Sequence, residues 1–120
     1  MPRDLFPSRG REWVSKVGRT IEALLPNGLC SKDAVAAELG LSARVLTDRL
    51  GEVGATYTGL LDETRRDLAM RYLVKRRYSV TKVSMLLGYS DASNFARAFR
   101  RWAGVSPTDV RSSDKVPNAR

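Results

Sequence analysis

Two triplets of polar residues sit on matching segments of this sequence, Arg44, Thr47 and Asp48, then Ser93, Asn94 and Arg97, with Asp48 matched by Arg97. Their chemistry is that of hydrogen-bond recognition. A guanidinium fork suits guanine O6 and N7, a carboxamide suits adenine N6 and N7, and a carboxylate accepts from a cytosine amino group. Covalent and metal chemistry finds much less to work with. The chain has no histidine, which removes Ser-His-Asp and Cys-His nucleophiles and the usual zinc sets. Its glycines are scattered singly rather than gathered into a phosphate loop. Most of the 13 acidic residues fall at polar helical positions, where a solvated surface is the ordinary role. The expectation is a protein that is not an enzyme and holds no cofactor and no metal. The single cysteine, Cys30, reads as a small semi-buried hydrophobe, with a reactive thiol as the alternative.

The segments that carry these triplets match. Val35, Ala36, Leu39, Gly40, Leu41 and Ser42 correspond to Val83, Ser84, Leu87, Gly88, Tyr89 and Ser90 at an offset of 48. The second copy then gains one residue, so that Leu46 and Leu50 correspond to Phe95 and Phe99 at an offset of 49. Two copies at so long a period do not make a solenoid. They describe one supersecondary unit used twice. A short helix, a glycine turn and a second helix make a helix-turn-helix. Ala36 or Ser84 is the small residue needed where the helices approach, and Leu41 or Tyr89 plugs the corner. The second helix buries Leu46/Leu50 or Phe95/Phe99 and leaves the two triplets on its outer side. In DNA-binding versions that side enters the major groove.

The rest of the chain supplies the supports. Apolar residues recur at helical spacing throughout and nowhere with period 2 over strand length, which predicts an all-α fold of about seven helices. Trp13, Val17, Ile21, Leu24 and Leu25 form a stripe stopped by Pro26-Asn27-Gly28. Ser31 and Ser42 are candidate N-caps, the second opening a helix whose Val45, Leu46 and Leu50 face inward. Thr56 or Thr58 opens a long connecting helix to about Arg77, with Leu61, Thr64, Leu68, Ala69, Tyr72 and Leu73 on one face and Arg65, Arg66, Arg71, Lys75, Arg76 and Arg77 decorating it. Ser79 caps the next helix, and Ser90 or Asp91 the one after. Ser106-Pro107-Thr108-Asp109 is a compact helix start. The predicted organisation is a tail over 1–12, a first helix-turn-helix lobe over 13–56, a connecting helix over 57–77, a second lobe over 78–111 and a frayed tail over 112–120.

Lys and Arg number 21 against 13 acids, a net charge of +8, the electrostatic footprint of a protein that meets polyanions. The excess is uneven. Residues 1–57 carry 8 basic and 7 acidic side chains, whereas residues 58–111 carry 11 and 5. No apolar run approaches the 18 or so residues of a membrane span, and the opening MPRDLFPSRGREW lacks the apolar core of a signal peptide. A cytoplasmic, nucleoid-associated protein with no membrane partner is expected.

The second unit carries Val80-x-x-Val83-Ser84-x-x-x-Gly88-Tyr89-Ser90-Asp91-x-x-x-Phe95-x-Arg97-x-Phe99-Arg100-Arg101-x-x-Gly104-x-Ser106-Pro107, and the connecting segment carries Arg65-x-x-x-Ala69-x-x-x-Leu73. With these motifs, residues 13–111 resemble the DNA-binding domain of the AraC/XylS type of bacterial transcription regulator. The stretch CSKDAVAAELGLSARVLTDRL is similar to the first unit of the subfamily whose effector domain is arabinose-binding-like. Val110 departs from the family's usual aromatic, and Asp48 stands where many members have arginine. The resemblance implies promoter or operator duplex DNA as the partner, RNA polymerase as a further candidate, and an effector or dimerisation domain outside this chain.

Arg44, Thr47, Asp48, Ser93, Asn94 and Arg97 are therefore the candidate base readers. Ser31, Lys32, Ser79, Thr81, Lys82, Arg100 and Arg101 are the candidate phosphate contacts, which position without specifying. For Ser31 and Ser79 helix capping is an equal explanation, and for Asp48 so is a pair with Arg44 four residues earlier. The rival functions are an architectural DNA binder of weak specificity and a protein-interaction module. The charge reading has a direct measure. Affinity for duplex DNA should fall with salt on a log–log slope set by about 5–8 phosphate contacts at roughly 0.9 each. Arg100→Ala or Arg101→Ala should make that slope shallower by about one without changing the preferred sequence.

Overall fold

The computed structural model describes residues 8–28 and 30–113. Among them are seven α-helices and no strand: α1 Ser8–Leu24, α2 Lys32–Glu38, α3 Ala43–Glu52, α4 Tyr57–Met70, α5 Val80–Leu86, α6 Ala92–Ala103 and α7 Pro107–Ser113. A 3-10 turn, Leu25–Asn27, follows α1, and a π-helical segment, Arg71–Lys75, continues α4. The described residues divide into two compact units, 8–25 with 30–64 and 26–28 with 65–113.

In the first unit α1 packs on α2 and α2 on α3. Seven residues are too few for a helix to persist alone in water, so α2 depends on its ends and its packing. Ser31 Oγ accepts from the Ala34 amide at 3.0 Å. At the other end Gly40 takes φ +74°, and the Leu41 and Gly40 amides donate back to the carbonyls of Ala36 and Ala37 at 2.8 and 3.0 Å. That is the Schellman arrangement, open to glycine because it has no Cβ. Two residues later Ser42 Oγ accepts from the Val45 amide at 3.1 Å and α3 begins. Val17, Ile21, Leu25, Val35, Ala36, Leu46, Leu50 and Leu60 are the buried apolar residues here.

The second unit repeats the device. Ser79 Oγ accepts from the Lys82 amide at 3.1 Å. Gly88, at φ +82°, lets the Tyr89 amide return to the Ser84 carbonyl at 3.0 Å. Ser84 is 2% exposed, and its hydroxyl donates to the Thr81 carbonyl at 2.8 Å, which satisfies a polar group at the close approach. Asp91 rather than Ser90 caps α6, accepting from the Asn94 amide at 2.8 Å. Leu68, Ala69, Leu73, Val83, Leu87, Phe95, Ala98, Phe99 and Val110 are buried. Phe95 and Phe99 lie 5.8 Å apart between ring centroids, and Tyr89 stands 5.6 Å from Phe95.

Some expectations shift. The stretch expected as a tail over 1–12 contributes to α1 from Ser8 onward, because nothing after Pro7 breaks a helix before Pro26. Thr56 caps α4, accepting from the Gly59 amide at 3.0 Å. The regular α-helix ends at Met70, and the π-helical segment carries the connecting helix on to Lys75. Beyond it the Arg76 amide reaches back five residues to Arg71 and the Tyr78 amide six to Tyr72, and this wider turn sets Tyr72 against Tyr78 at 5.6 Å. Val45, expected inward, is 41% exposed, since Leu46 and Leu50 take the inner face and one residue of helix turns about 100° away from them. Leu39, Leu61, Trp13 and Leu24 are only half-buried. The last helix runs through Ser113; the remainder of the expected C-terminal tail, 114–120, and residues 1–7 lie outside the described residues.

Phe99 is 1% exposed and meets both Phe95 and Trp102. Phe99→Ala should cost about 3–5 kcal/mol and unfold at least the second unit. Thermal melting checks this, and an unchanged transition would show that α6 buries another face.

Candidate nucleic-acid interface

The face of α3 opposite Leu46 and Leu50 presents Arg44, Thr47 and Asp48, all exposed. Arg44 Nε lies 4.0 Å from Asp48 Oδ2, with the side chains 90% and 65% exposed. Thr47 Oγ1 accepts from Lys32 Nζ at 3.0 Å, so the first residue of α2 reaches across to the middle of α3. Lys32 and Thr47, given different roles from sequence, therefore meet in one feature.

On α6 Ser93 and Arg97 are exposed and Asn94 half-buried. Asn94 Nδ2 donates to Ser90 Oγ at 2.6 Å, and Arg97 Nη2 donates to Asn94 Oδ1. One turn on, Arg100 and Arg101 are exposed in the last turn of α6, where cations also complement the helix dipole. Ala96, Arg97, Arg100 and Arg101 border an open depression of about 450 Å³. Thr81 and Lys82 are exposed on the first turn of α5, and Lys82 Nζ stands 4.0 Å above the Tyr78 ring. The hydroxyls of Ser31 and Ser79 serve as N-caps. Among the described residues no group of three or more His, Cys, Asp or Glu is placed to hold a metal ion.

Part of the basic excess is spent inside the fold. Arg65 Nε donates to the Leu87 carbonyl at 3.1 Å, and its guanidinium lies 4.6 Å over the Tyr89 ring. It thereby holds the turn between α5 and α6. Arg111 donates from Nε to the Tyr78 carbonyl at 2.8 Å and from Nη2 to the Arg77 carbonyl at 2.9 Å. Arg77 is the one described non-glycine residue at positive φ, +55°, a conformation costing on the order of 1–2 kcal/mol. Arg111 thus clamps the strained link that leads into the Ser79 cap. Arg49 lies 4.1 Å over the Trp13 ring. Sequence reasoning counted Arg65 among the cations decorating α4. The spacing Arg65, Ala69, Leu73 was the available signal, because i, i+4, i+8 places the arginine on the buried side.

Comparison with known proteins agrees with this geometry. A helix-turn-helix domain model matches residues 35–113. The chain belongs to the AraC-type helix-turn-helix family. It is 39% identical over 88 residues to the ornithine utilization regulator of Pseudomonas aeruginosa, covering 73% of this chain and 26% of that protein. It is 38% identical over 89 residues to the HTH-type transcriptional regulator VirS of Mycobacterium tuberculosis, covering 74% and 26%. This chain thus spans about a quarter of the length of these two relatives. A DNA-binding transcriptional dual regulator from Escherichia coli K-12 has a similar structure, with TM-score 0.75 and 26% identity over 93% of this chain and 96% of that one.

Arg111→Ala should destabilise the second unit by about 1–3 kcal/mol, because two carbonyls lose a charged donor. Arg111→Lys should recover little, since an ammonium cannot fork to both. Urea unfolding of the three proteins checks the order.

Proposed function

We propose that this chain is the sequence-reading module of a bacterial transcription regulator, with α3 and α6 entering successive major-groove faces of one duplex. The observation that carries this is the repeated geometry. Each of two capped helices buries a hydrophobic pair and turns a polar triplet outward: Arg44, Thr47 and Asp48 on α3, Ser93, Asn94 and Arg97 on α6. Lys32, Thr81, Lys82, Arg100 and Arg101 are assigned to phosphates, together with Ser31 and Ser79 at the caps, where backbone amides also point outward. A dimeric helix-turn-helix protein places two readers one helical turn apart, about 34–36 Å, by symmetry; this chain carries both readers itself. An effector or dimerisation domain elsewhere in the whole regulator, RNA polymerase as a second partner and a place on the nucleoid belong to the same reading.

The test is selection of binding sites by the full chain from a randomised duplex library. Enrichment of a sequence preferred over scrambled duplex by roughly 10³-fold or more at fixed salt is the expected result. Binding without enrichment would favour an architectural role, and no binding at low salt a protein-interaction module.

The two helices should contribute unequally. Asp48 can only accept a hydrogen bond and repels nearby phosphates, whereas Arg97 donates and is attracted. Arg97→Ala should cost about 1–3 kcal/mol on the selected duplex. Asp48→Ala should tighten binding to scrambled duplex and relax the preference at one base pair if the carboxylate reads cytosine. Titrations of both variants on both duplexes decide this, and silence from both would remove α3 and α6 from the groove.

A further inference from the structure

Within the reading face just proposed, on which this inference rests, we infer that Asn94 reads no base itself but holds Arg97 in position to read one. The carboxamide is spanned between two partners, Ser90 Oγ on its nitrogen and Arg97 Nη2 on its oxygen. The orientation of the amide follows from chemistry. A guanidinium can only donate, so the amide oxygen must face Arg97, which leaves the nitrogen to donate to Ser90. A bidentate contact to adenine requires both ends to turn together toward N6 and N7, and that rotation would break both bonds. Asn94 is half-buried whereas Arg97 is exposed, as expected of a support and a reader.

The repeat provides an internal comparison. Measured from the N-caps, Ser42 of α3 corresponds to Asp91 of α6, so the residue gained by the second copy is Ser90. That extra residue is the anchor of Asn94. The first unit lacks the anchor, and its counterpart of Asn94 is Val45, which bears no hydrogen-bonding group. There the counterpart of Arg97 is itself a carboxylate, Asp48, which Arg44 faces at 4.0 Å. Amide, anchor and arginine occur together in one unit and are absent together from the matching positions of the other. Holding the guanidinium in advance removes part of the side-chain ordering that binding would otherwise require.

The test uses the full chain, the duplex it selects from the randomised library, and single-base-pair variants of that duplex. Asn94→Ala and Arg97→Ala should relax the preference at the same guanine, Arg97→Ala by about 5- to 100-fold and Asn94→Ala by less. The double variant should bind no more weakly than Arg97→Ala alone. Loss of preference at an adenine in Asn94→Ala, or full additivity of the two changes, would overturn the inference. An NMR measurement without DNA separates this from failure of the DNA reading. The Arg97 guanidinium protons should show slowed rotation in the parent chain and averaged signals in Asn94→Ala, at unchanged melting temperature. Equal signals in the two proteins would refute the holding contact whatever the DNA result.

Discussion

Both units of this protein depend on one backbone constraint, the closure of a seven-residue helix by a left-handed glycine. α2 and α5 are too short to stand alone, and each survives because both of its ends are satisfied. A serine hydroxyl takes an amide at the start, and a Schellman turn at Gly40 or Gly88 returns amides to the carbonyls of the last turn. The same turn decides where the chain goes next. It delivers Leu41 or Tyr89 to the corner and Ser42 or Asp91 to the cap of the following helix within three residues of the glycine. The direction of α3 and α6, and with it the set of residues each leaves exposed, is a consequence of that closure.

The basic excess is best divided by what each cation touches. Arg65 and Arg111 are committed to carbonyls that end helices or follow them, and Arg49 lies against an indole. Arg65 and Arg111 thereby make the fold, whereas Arg49, although stacked, stays exposed. Lys32, Lys82, Arg97, Arg100 and Arg101 keep their charges exposed. Lys32 and Lys82 are also oriented, one by a threonine hydroxyl and the other by the Tyr78 ring. Tyr78 is in turn fixed through its carbonyl by Arg111 and through its ring by Tyr72. A structural arginine on α7 therefore influences where a candidate phosphate contact on α5 stands.

The helices were legible in the sequence because their signals are local. Caps at Ser31, Ser42, Ser79 and Ser106, glycine stops and hydrophobic pairs one turn apart are each read within a few residues. The π-helical end of α4 was not legible, because its hydrogen bonds depend on the packing of Tyr72 on Tyr78 and on a left-handed Arg77 held from α7, more than thirty residues away. Val45 was misread for a related reason. In a first helical turn three of four residues are plausible for the core, and only the packing of Leu46 and Leu50 decides which faces out. The positions of the polar triplets followed from the hydrophobic pairs opposite them, whereas the bonds among their members required coordinates.

The two candidate reading faces differ in a way the repeat conceals. On α3 the arginine and the carboxylate lie together and cancel one another, leaving Lys32 beside Thr47 as the uncancelled charge, and an exposed pair of this kind is worth at most about 1 kcal/mol. Such a pair opens at little cost, which leaves Arg44 and Asp48 able to separate toward different partners. On α6 the arginine is held by a neutral amide that does not cancel its charge, and Arg100 and Arg101 follow on the next turn. One unit therefore offers an adaptable face with one uncancelled cation, Lys32, the other a held face with Arg97, Arg100 and Arg101. The exposed cations of the two candidate faces are accordingly concentrated in the second unit.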